Sequence, residues 1–344
     1  MFKPNHTGNS ILLALLAILL LGLSGCAKPT DAPPLPTNSP PVTPTEVITA
    51  EPTAAPAKLL LVDPAGQAAE ELYAYLSSFG AENALTIETI TSPELPPQGE
   101  ETKVVIFLAE PANLTDIVAA SPATQFIIVG DVDNSPQPNL SVIRAAGEDL
   151  AFMGGFLAMQ ISWDWRVAGL IPTDTVMGAE KADAFENGAR FVCGQCTPYY
   201  APFVYFPLLA QEPMQAGFDA WDAQIVNLAQ HFVNSFYIDP AISTPEMLDR
   251  LKGLEDDIYN DVNLVGLSVA ADERYTAILA FDILPALQVL LPQALAGSGG
   301  QTAGAHVVIA VNNNDQVVTI AKVDNFNRMA ADLAAGIIYP LSIP

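Results

Sequence analysis

The chain is predicted to be an α/β protein built on a parallel sheet, and three observations support this prediction. Half of its 344 residues are apolar and 15% are charged, so it can form a substantial core and is not a disordered polymer. Short continuous apolar runs recur from residue 58 onward, which is typical of strands buried on both faces. Segments with helical apolar spacing separate them. The pattern leaves open one wide sheet or two smaller ones.

The alternation begins with residues 58–62, a continuous apolar run that ends at Asp63. Residues 68–79 then place Leu72, Tyr75, Leu76 and Phe79 at helical spacing. The same reasoning predicts the later elements. Strands are predicted over residues 104–108, 126–129, 167–171, 232–238, 264–269 and 307–311. Helices are predicted over residues 114–120, 149–161, 179–191, 220–230, 245–254, 282–296 and 327–335.

Residues 1–25 have the features of an export signal. Lys3 precedes an aliphatic run over residues 11–23, which has the length of a signal-peptide core. The run ends in Leu23-Ser24-Gly25-Cys26, which resembles the bacterial lipobox, whose cysteine is acylated and becomes the mature N-terminus. We therefore expect Cys26 to be lipidated and to hold the chain on the extracytoplasmic face of a bacterial cell membrane. The alternative is an ordinary secretory signal with a chance cysteine.

Residues 26–57 are predicted to be a disordered spacer. They contain nine of the 29 prolines and few large apolar side chains, so they cannot bury enough surface to fold. The whole chain carries 38 acidic residues against 13 basic ones, a net charge of −25. Such an acidic chain repels phosphates, which argues against nucleic acid as a partner.

Residues 139–158 contain the most informative motif. Asn139-Leu140-Ser141-Val142 is followed by Gly147-Glu148-Asp149-Leu150-Ala151-Phe152-Met153-Gly154-Gly155-Phe156-Leu157-Ala158. Together with Ala168-Gly169-Leu170-Ile171 and Phe185-Glu186-Asn187-Gly188-Ala189-Arg190, this resembles the basic membrane protein (BMP) family of lipoproteins. The close match covers about residues 104–191, and the rest agrees in element order only. The family consists of solute-binding proteins with the type I periplasmic-binding fold, and its characterised branch binds nucleosides.

The resemblance implies two doubly wound parallel-sheet lobes joined by a hinge. Residues 58–142 and 272–297 would form the first lobe, and residues 143–271 and 298–344 the second. A small polar ligand, nucleoside-like or sugar-like, would bind in the interlobe cleft and be delivered to an ABC permease. Residues 61–67 lack the family's aromatic, and residues 266–270 lack its carboxylates. The ligand is therefore expected to differ, or the site has eroded, leaving a sensor or structural surface lipoprotein.

Carboxylates that follow predicted strands are the candidate ligand contacts, because they accept hydrogen bonds from hydroxyl or amine groups. They are Asp63, Glu110, Asp131, Asp133, Asp174, Asp239 and Asp272. Asp131 and Asp133 are favoured by their place after a strand at the family's cleft. A helix cap or a solvated turn is the alternative role for each. Aromatic residues that could stack on a ring, or simply pack, are Tyr237, Trp163, Trp165, Tyr199, Tyr200 and Phe206.

Cys193 and Cys196 are the cysteines left once Cys26 is acylated. In an oxidising compartment we expect them to form a local disulfide. A thioredoxin-type redox pair would need a helix after the first cysteine, which Pro198 and Pro202 disfavour. Zinc would need two more ligands. No cofactor and no metal are therefore predicted.

The sequence gives little indication of an enzyme. Outside the signal segment the histidines are His231 and His306, and there is no nucleophile elbow, P-loop or dinucleotide fingerprint. A carboxylate-based secreted hydrolase is a third alternative, because paired acids leave little local signature. The prediction is a non-enzymatic solute-binding lipoprotein.

Overall fold

The protein is described here by a computed structural model that covers residues 56–341, with gaps at 67, 131–136, 176, 259, 268–271 and 313–315. The predicted signal segment, most of the spacer, Cys26, Asp131 and Asp133 lie outside the described residues.

The strands are β1 Lys58–Val62, β2 Thr86–Ile90, β3 Thr102–Phe107, β4 Gln125–Gly130, β5 Leu140–Arg144, β6 Val167–Leu170, β7 Leu208–Ala210, β8 Ser235–Ile238, β9 Asn263–Leu267, β10 Ala277–Asp282, β11 Thr302–Gly304 and β12 His306–Val311. The helices are α1 Glu70–Glu82, α2 Leu114–Ala120, α3 Gly147–Ile161, α4 Gly178–Cys193, α5 Phe218–Ala229, α6 Pro245–Lys252, α7 Leu254–Ile258, α8 Leu284–Leu295 and α9 Ile320–Ala334.

The strands form two sheets of six, which settles the question that the apolar pattern left open. The first sheet has the order β2-β1-β3-β4-β5-β11, and the second has the order β7-β6-β8-β9-β10-β12. Neighbouring strands are parallel in both sheets except for the β10–β12 pair. If the strands of each sheet are numbered in chain order within that sheet, both sheets have the same strand order. The fold is therefore two doubly wound α/β lobes, as predicted.

Strand β1 shows why continuous apolar runs indicate this class. Leu59 and Leu61 pack on one face of the sheet with α1 and α8, whereas Leu60 and Val62 pack on the other face with α2. Because side chains alternate across a strand, a sheet covered on both faces needs apolar residues at every position.

Within the described residues, the chain crosses between the lobes three times, and each crossing is short. β5 ends at Arg144 and α3 begins at Gly147, β10 ends at Asp282 and α8 begins at Leu284, and β11 leads into β12 through Ala305. Each crossing joins the C-terminal edge of one sheet to the C-terminal edge of the other. The backbone N–H of Ala305 donates to the carbonyl of Arg144 at 2.8 Å, and Phe281 packs against the cores of both lobes. The C-terminal edges of the two sheets therefore lie next to each other.

The lobe boundaries differ from the predicted ones. β10, predicted within the first lobe, pairs in the second sheet, and β11, predicted within the second lobe, pairs in the first. Residues 143 and 144 complete β5 of the first sheet. The physical reason is that the crossings fall directly at strand ends. A short apolar strand can pair in either sheet, so its sequence does not indicate which lobe it joins.

The second lobe is built around α3, which is buried on nearly every side, as its almost continuous apolar sequence requires. Helix α4 packs closely against it. A Cβ atom on Gly155 would come within 2.1 Å of the Phe185 carbonyl oxygen. Only glycine allows this approach of the two helix backbones.

Candidate functional site

The C-terminal edge of the second sheet carries a group of buried polar side chains. β8 ends at Ile238, so Tyr237 is its penultimate residue and Asp239 follows it directly. Lys181 lies in the first turn of α4, and Glu148 lies in the first turn of α3. Tyr237, Asp239 and Glu148 are all buried. In doubly wound folds this edge, just beyond the strand ends, is where ligands bind.

Tyr237 is held by close packing on both sides of its ring. The ring stacks on Phe185 with 5.6 Å between centroids and lies directly beside Gly154. Its hydroxyl has no hydrogen-bond partner among the described residues. Burial raises the pKa of Tyr237 well above its usual value, and the nearby Asp239 and Tyr275 raise it further. The hydroxyl therefore stays protonated and can donate a hydrogen bond.

The two carboxylate oxygens of Asp239 have different surroundings. Its Oδ1 accepts from the backbone N–H of Ala241 at 2.9 Å and caps the short 3-10 turn Pro240–Ile242. Its Oδ2 lies 3.6 Å from Lys181 Nζ and accepts no hydrogen bond from the described residues. A buried carboxylate oxygen without a donor is uncommon, because burial without a hydrogen bond is costly.

Two further polar pairs lie near the C-terminal ends of strands. Tyr275 and Ser243 share a hydrogen bond between their hydroxyls. Arg144 at the end of β5 forms an ion pair with Glu148 and so connects the two lobes. Oε2 of Glu148 has no partner among the described residues. The edge thus combines a hydroxyl donor and a cation with two carboxylates that have spare acceptor capacity.

Unpartnered polar atoms are concentrated at these facing edges. Nine buried side-chain atoms of the described residues lack a hydrogen-bond partner. Five of them belong to residues in the last two positions of a strand or in the six positions after it, namely Asn113, Glu148, Thr175, Tyr237 and Asp239. Such atoms are expected where a ligand completes the hydrogen bonding.

Three of the other predicted contacts form bonds within the chain. The carboxylate of Asp63 accepts from the backbone N–H of Ala68 at 3.0 Å. Asp174 accepts from the backbone N–H of Met214 at 2.5 Å. Asp272 accepts from Arg274, whose guanidinium holds the pKa of Asp272 below its usual value. These bonds hold loops together, the role that sequence reasoning gave as the alternative.

The remaining predicted residues lie elsewhere in the second lobe. Trp163, Trp165, Tyr199 and Tyr200 lie near the start of β6, at the N-terminal edge of the sheet. Phe206 is buried in the core. The predicted disulfide between Cys193 and Cys196 is present.

The described residues contain no group of three or more His, Cys, Asp or Glu side chains placed to hold a metal ion. In the same part of the chain, no helix has both the length and the apolar character needed to cross a membrane.

Sequence reasoning missed Lys181, Ser243, Tyr275 and the Arg144–Glu148 pair. Glu148 lies within the motif of residues 139–158, and the available signal was its spacing of four positions from the basic residue Arg144. Lys181 gave no local signal, because its partner is 58 positions away in the chain.

No protein-family model and no curated protein matches the chain. Several solved structures are similar to it. An ABC transporter system solute-binding protein from Conexibacter woesei is 14% identical, with a TM-score of 0.52 over 84% of this chain and 98% of that one. An ABC transporter solute-binding protein from Aeropyrum pernix is 10% identical, with a TM-score of 0.51 over 83% and 93%. A transcriptional activator of the comK gene from Bacillus halodurans is 12% identical, with a TM-score of 0.50 over 83% and 100%.

At these identities the similarity concerns the fold alone. It agrees with the two sheets, their identical strand order and the three crossings. The chain therefore has a type I periplasmic-binding-protein-like fold.

Proposed function

We propose that the chain is an extracytoplasmic solute-binding lipoprotein that holds a small polar ligand between its two lobes. The single observation that supports this most strongly is the set of buried polar atoms of Glu148, Tyr237 and Asp239 that form no hydrogen bond within the described residues. Of these atoms, Asp239 Oδ2 has the ion pair with Lys181 at 3.6 Å. A protein gains nothing from such atoms unless a ligand or water bonds to them.

The ligand would be a compound that carries both hydrogen-bond donors and acceptors. Glu148 and Asp239 accept hydrogen bonds, and Tyr237 and Lys181 donate them. A hydroxylated compound such as a sugar or a nucleoside matches this mixture. A multiply charged anion does not, because two carboxylates would face it.

We infer the membrane anchor from the lipobox-like sequence, and the permease partner from the resemblance to solute-binding proteins. Acylation of Cys26 would tether the protein to a bacterial membrane, and the proline-rich spacer would carry the folded lobes away from the surface. The ligand would then pass to an ABC permease. The motif over residues 139–158 supports a divergent relationship to the basic membrane protein family.

Ligand-dependent melting tests the proposal. The purified full-length chain is heated with nucleosides, sugars or amino acids, each in large excess. A ligand at about 100 times its Kd adds roughly 2.7 kcal/mol of stability, so one class should raise Tm by about 5 °C or more. In the Asp239→Asn variant, which keeps the cap but loses the charge, the same compound should give a smaller shift.

A second candidate is a sensor or structural surface lipoprotein with an eroded site. The intrachain bonds of Asp63, Asp174 and Asp272 favour it, because those carboxylates already have partners. Unchanged Tm with every class of compound would support this candidate over the first.

A further inference from the structure

The N-terminal edge of the second sheet carries a groove bordered by aromatic side chains. Its volume is about 350 Å³, and its lining consists of Ser162, Trp163, Asp164, Trp165, Tyr199 and Tyr200. We call these six residues the aromatic patch. β6 begins just after Trp165 and Arg166, so the patch lies at the opposite edge of the sheet from Tyr237 and Asp239. It is separate from the site described above.

Three of the four aromatic rings of the patch are exposed, and the fourth, Trp165, packs partly against the core. Trp163 is 54% exposed, Tyr199 76% and Tyr200 62%. Trp163 and Tyr200 stack on each other with 5.7 Å between centroids and 8° between planes. Large aromatic side chains gathered at the surface mark binding sites more often than single exposed apolar residues do.

The patch is held rigidly from beneath. Asp164 accepts from the backbone N–H of Tyr199 at 2.5 Å. The buried Arg166 donates to the carbonyl oxygens of Tyr200 at 2.5 Å and of His231 at 2.6 Å. A binding surface ordered in advance loses little conformational entropy when a ligand arrives.

The backbone of the patch is also strained. Asp164 and Trp165 are successive non-glycine residues in the left-handed region, with φ of 58° and 63°. Each such residue costs free energy and persists only where its surroundings enforce it, which is common at ligand-binding sites.

The charges in and around the patch favour a neutral ligand. Asp164 and Arg166 form an ion pair at 3.2 Å, with both side chains almost fully buried, so the carboxylate of the patch is already neutralised. The chain as a whole carries −25 charges and would repel an anionic polymer. The groove is also lined by six residues, whereas a stable protein interface involves about 20–30 residues from each partner.

We propose that the aromatic patch binds a neutral glycan. A pyranose ring has an apolar C–H face that packs on an aromatic ring, and its hydroxyls can bond to the phenol and indole groups around the groove. A groove of about 350 Å³ is near the lower end of small-ligand sites and holds a short stretch of sugar units.

Tryptophan fluorescence of the full chain tests this directly. Trp163 and Trp165 are two of the three tryptophans in the chain, and the third, Trp221, is buried. Cellohexaose, chitohexaose, maltohexaose and mannohexaose are titrated in turn. At least one should change the emission in a saturable way, and Trp163→Ala should raise its Kd about tenfold or more.

Tyr205→Ala is the matched control, because Tyr205 is an exposed aromatic that does not line the groove, and it should keep the wild-type Kd. If Trp163→Ala fails to fold, Tyr199→Ala takes its place, because that ring is the most exposed of the three. No response to any of the four oligosaccharides, or an equal loss in the Tyr205 variant, would overturn the proposal. Binding of a polyproline peptide with the same residue dependence, and no glycan binding, would assign the patch to a peptide instead.

Discussion

The ring of Tyr237 lies so close to Gly154 that a Cβ atom at position 154 would be 2.2 Å from its Cδ2. One residue of α3 thus fixes where a side chain of β8 can lie. Real Cβ atoms do not approach other atoms so closely, so any larger residue at position 154 must displace the ring or the helix.

We therefore expect Gly154→Ala to destabilise the protein by about 1–3 kcal/mol, despite the better helix propensity of alanine. Gly304→Ala is the control, because a Cβ there meets no atom within 4 Å. Urea unfolding of both variants measures the difference. Equal stability of the two would show that Tyr237 is not held as described.

Removing the Tyr237 hydroxyl should cost the ligand-free protein nothing. The hydroxyl is buried without a partner among the described residues, so Tyr237→Phe should leave the free energy of unfolding unchanged or raise it by about 1 kcal/mol. Urea unfolding without added ligand is the measurement. A loss of about 2 kcal/mol or more would reveal a hydrogen bond that this account does not contain.

Arg166 should be among the most important charged residues for stability. Its guanidinium is buried with Asp164 and donates to backbone carbonyls of two separate segments. Arg166→Met leaves the Asp164 carboxylate buried without its cation and should cost about 3–5 kcal/mol.

Arg190→Met is the matched control for that variant. Arg190 forms an exposed helical pair with Glu186, and its loss should cost less than about 1 kcal/mol. Similar unfolding midpoints for the two variants would contradict the structural role of Arg166.

The contribution of Asp272 to stability should depend on pH. Hydrogen bonds from Arg274 lower the pKa of Asp272 below its ordinary 3.8 in the folded protein. A lowered folded pKa gives stability that is present above 3.8 and is lost as pH falls through the folded pKa.

Wild type should therefore be more stable than Asp272→Asn near neutral pH, by well under 1 kcal/mol because the group is largely solvated. The difference should shrink below about pH 4. Melting temperatures of both proteins between roughly pH 3 and 7 measure it. A difference that grows on acidification would reverse the assigned sign.

The strands that are buried on both faces of the sheet could be predicted from the sequence. β1, β3 and β4 each contain a continuous apolar run, residues 59–62, 104–107 and 126–129, because helices cover both faces of the sheet. β2 (Thr86–Ile90) lies at the sheet edge and is only partly buried, so it mixes polar and apolar residues and was missed. β11 has three residues, Thr302–Gly304, and carries no apolar signal at all.

The candidate site was only partly predictable. Tyr237 and Asp239 could be identified because they end an apolar strand. Lys181 could not, because only the folding of α4 against β8 brings it near Asp239. The hydrogen bonds of Asp63 and Asp272 could not be predicted either. The sequence around a loop aspartate does not distinguish a residue that caps a turn from one that binds a ligand.

Calorimetry of the compound found by the melting test shows whether the ligand bonds to the Tyr237 hydroxyl. Wild type, Tyr237→Phe and Tyr205→Phe are compared, the last losing an exposed hydroxyl outside the candidate site. We expect a Kd about tenfold or more higher for Tyr237→Phe and an unchanged Kd for Tyr205→Phe. Equal affinity of all three proteins would contradict the claim that the ligand bonds to Tyr237 between the lobes.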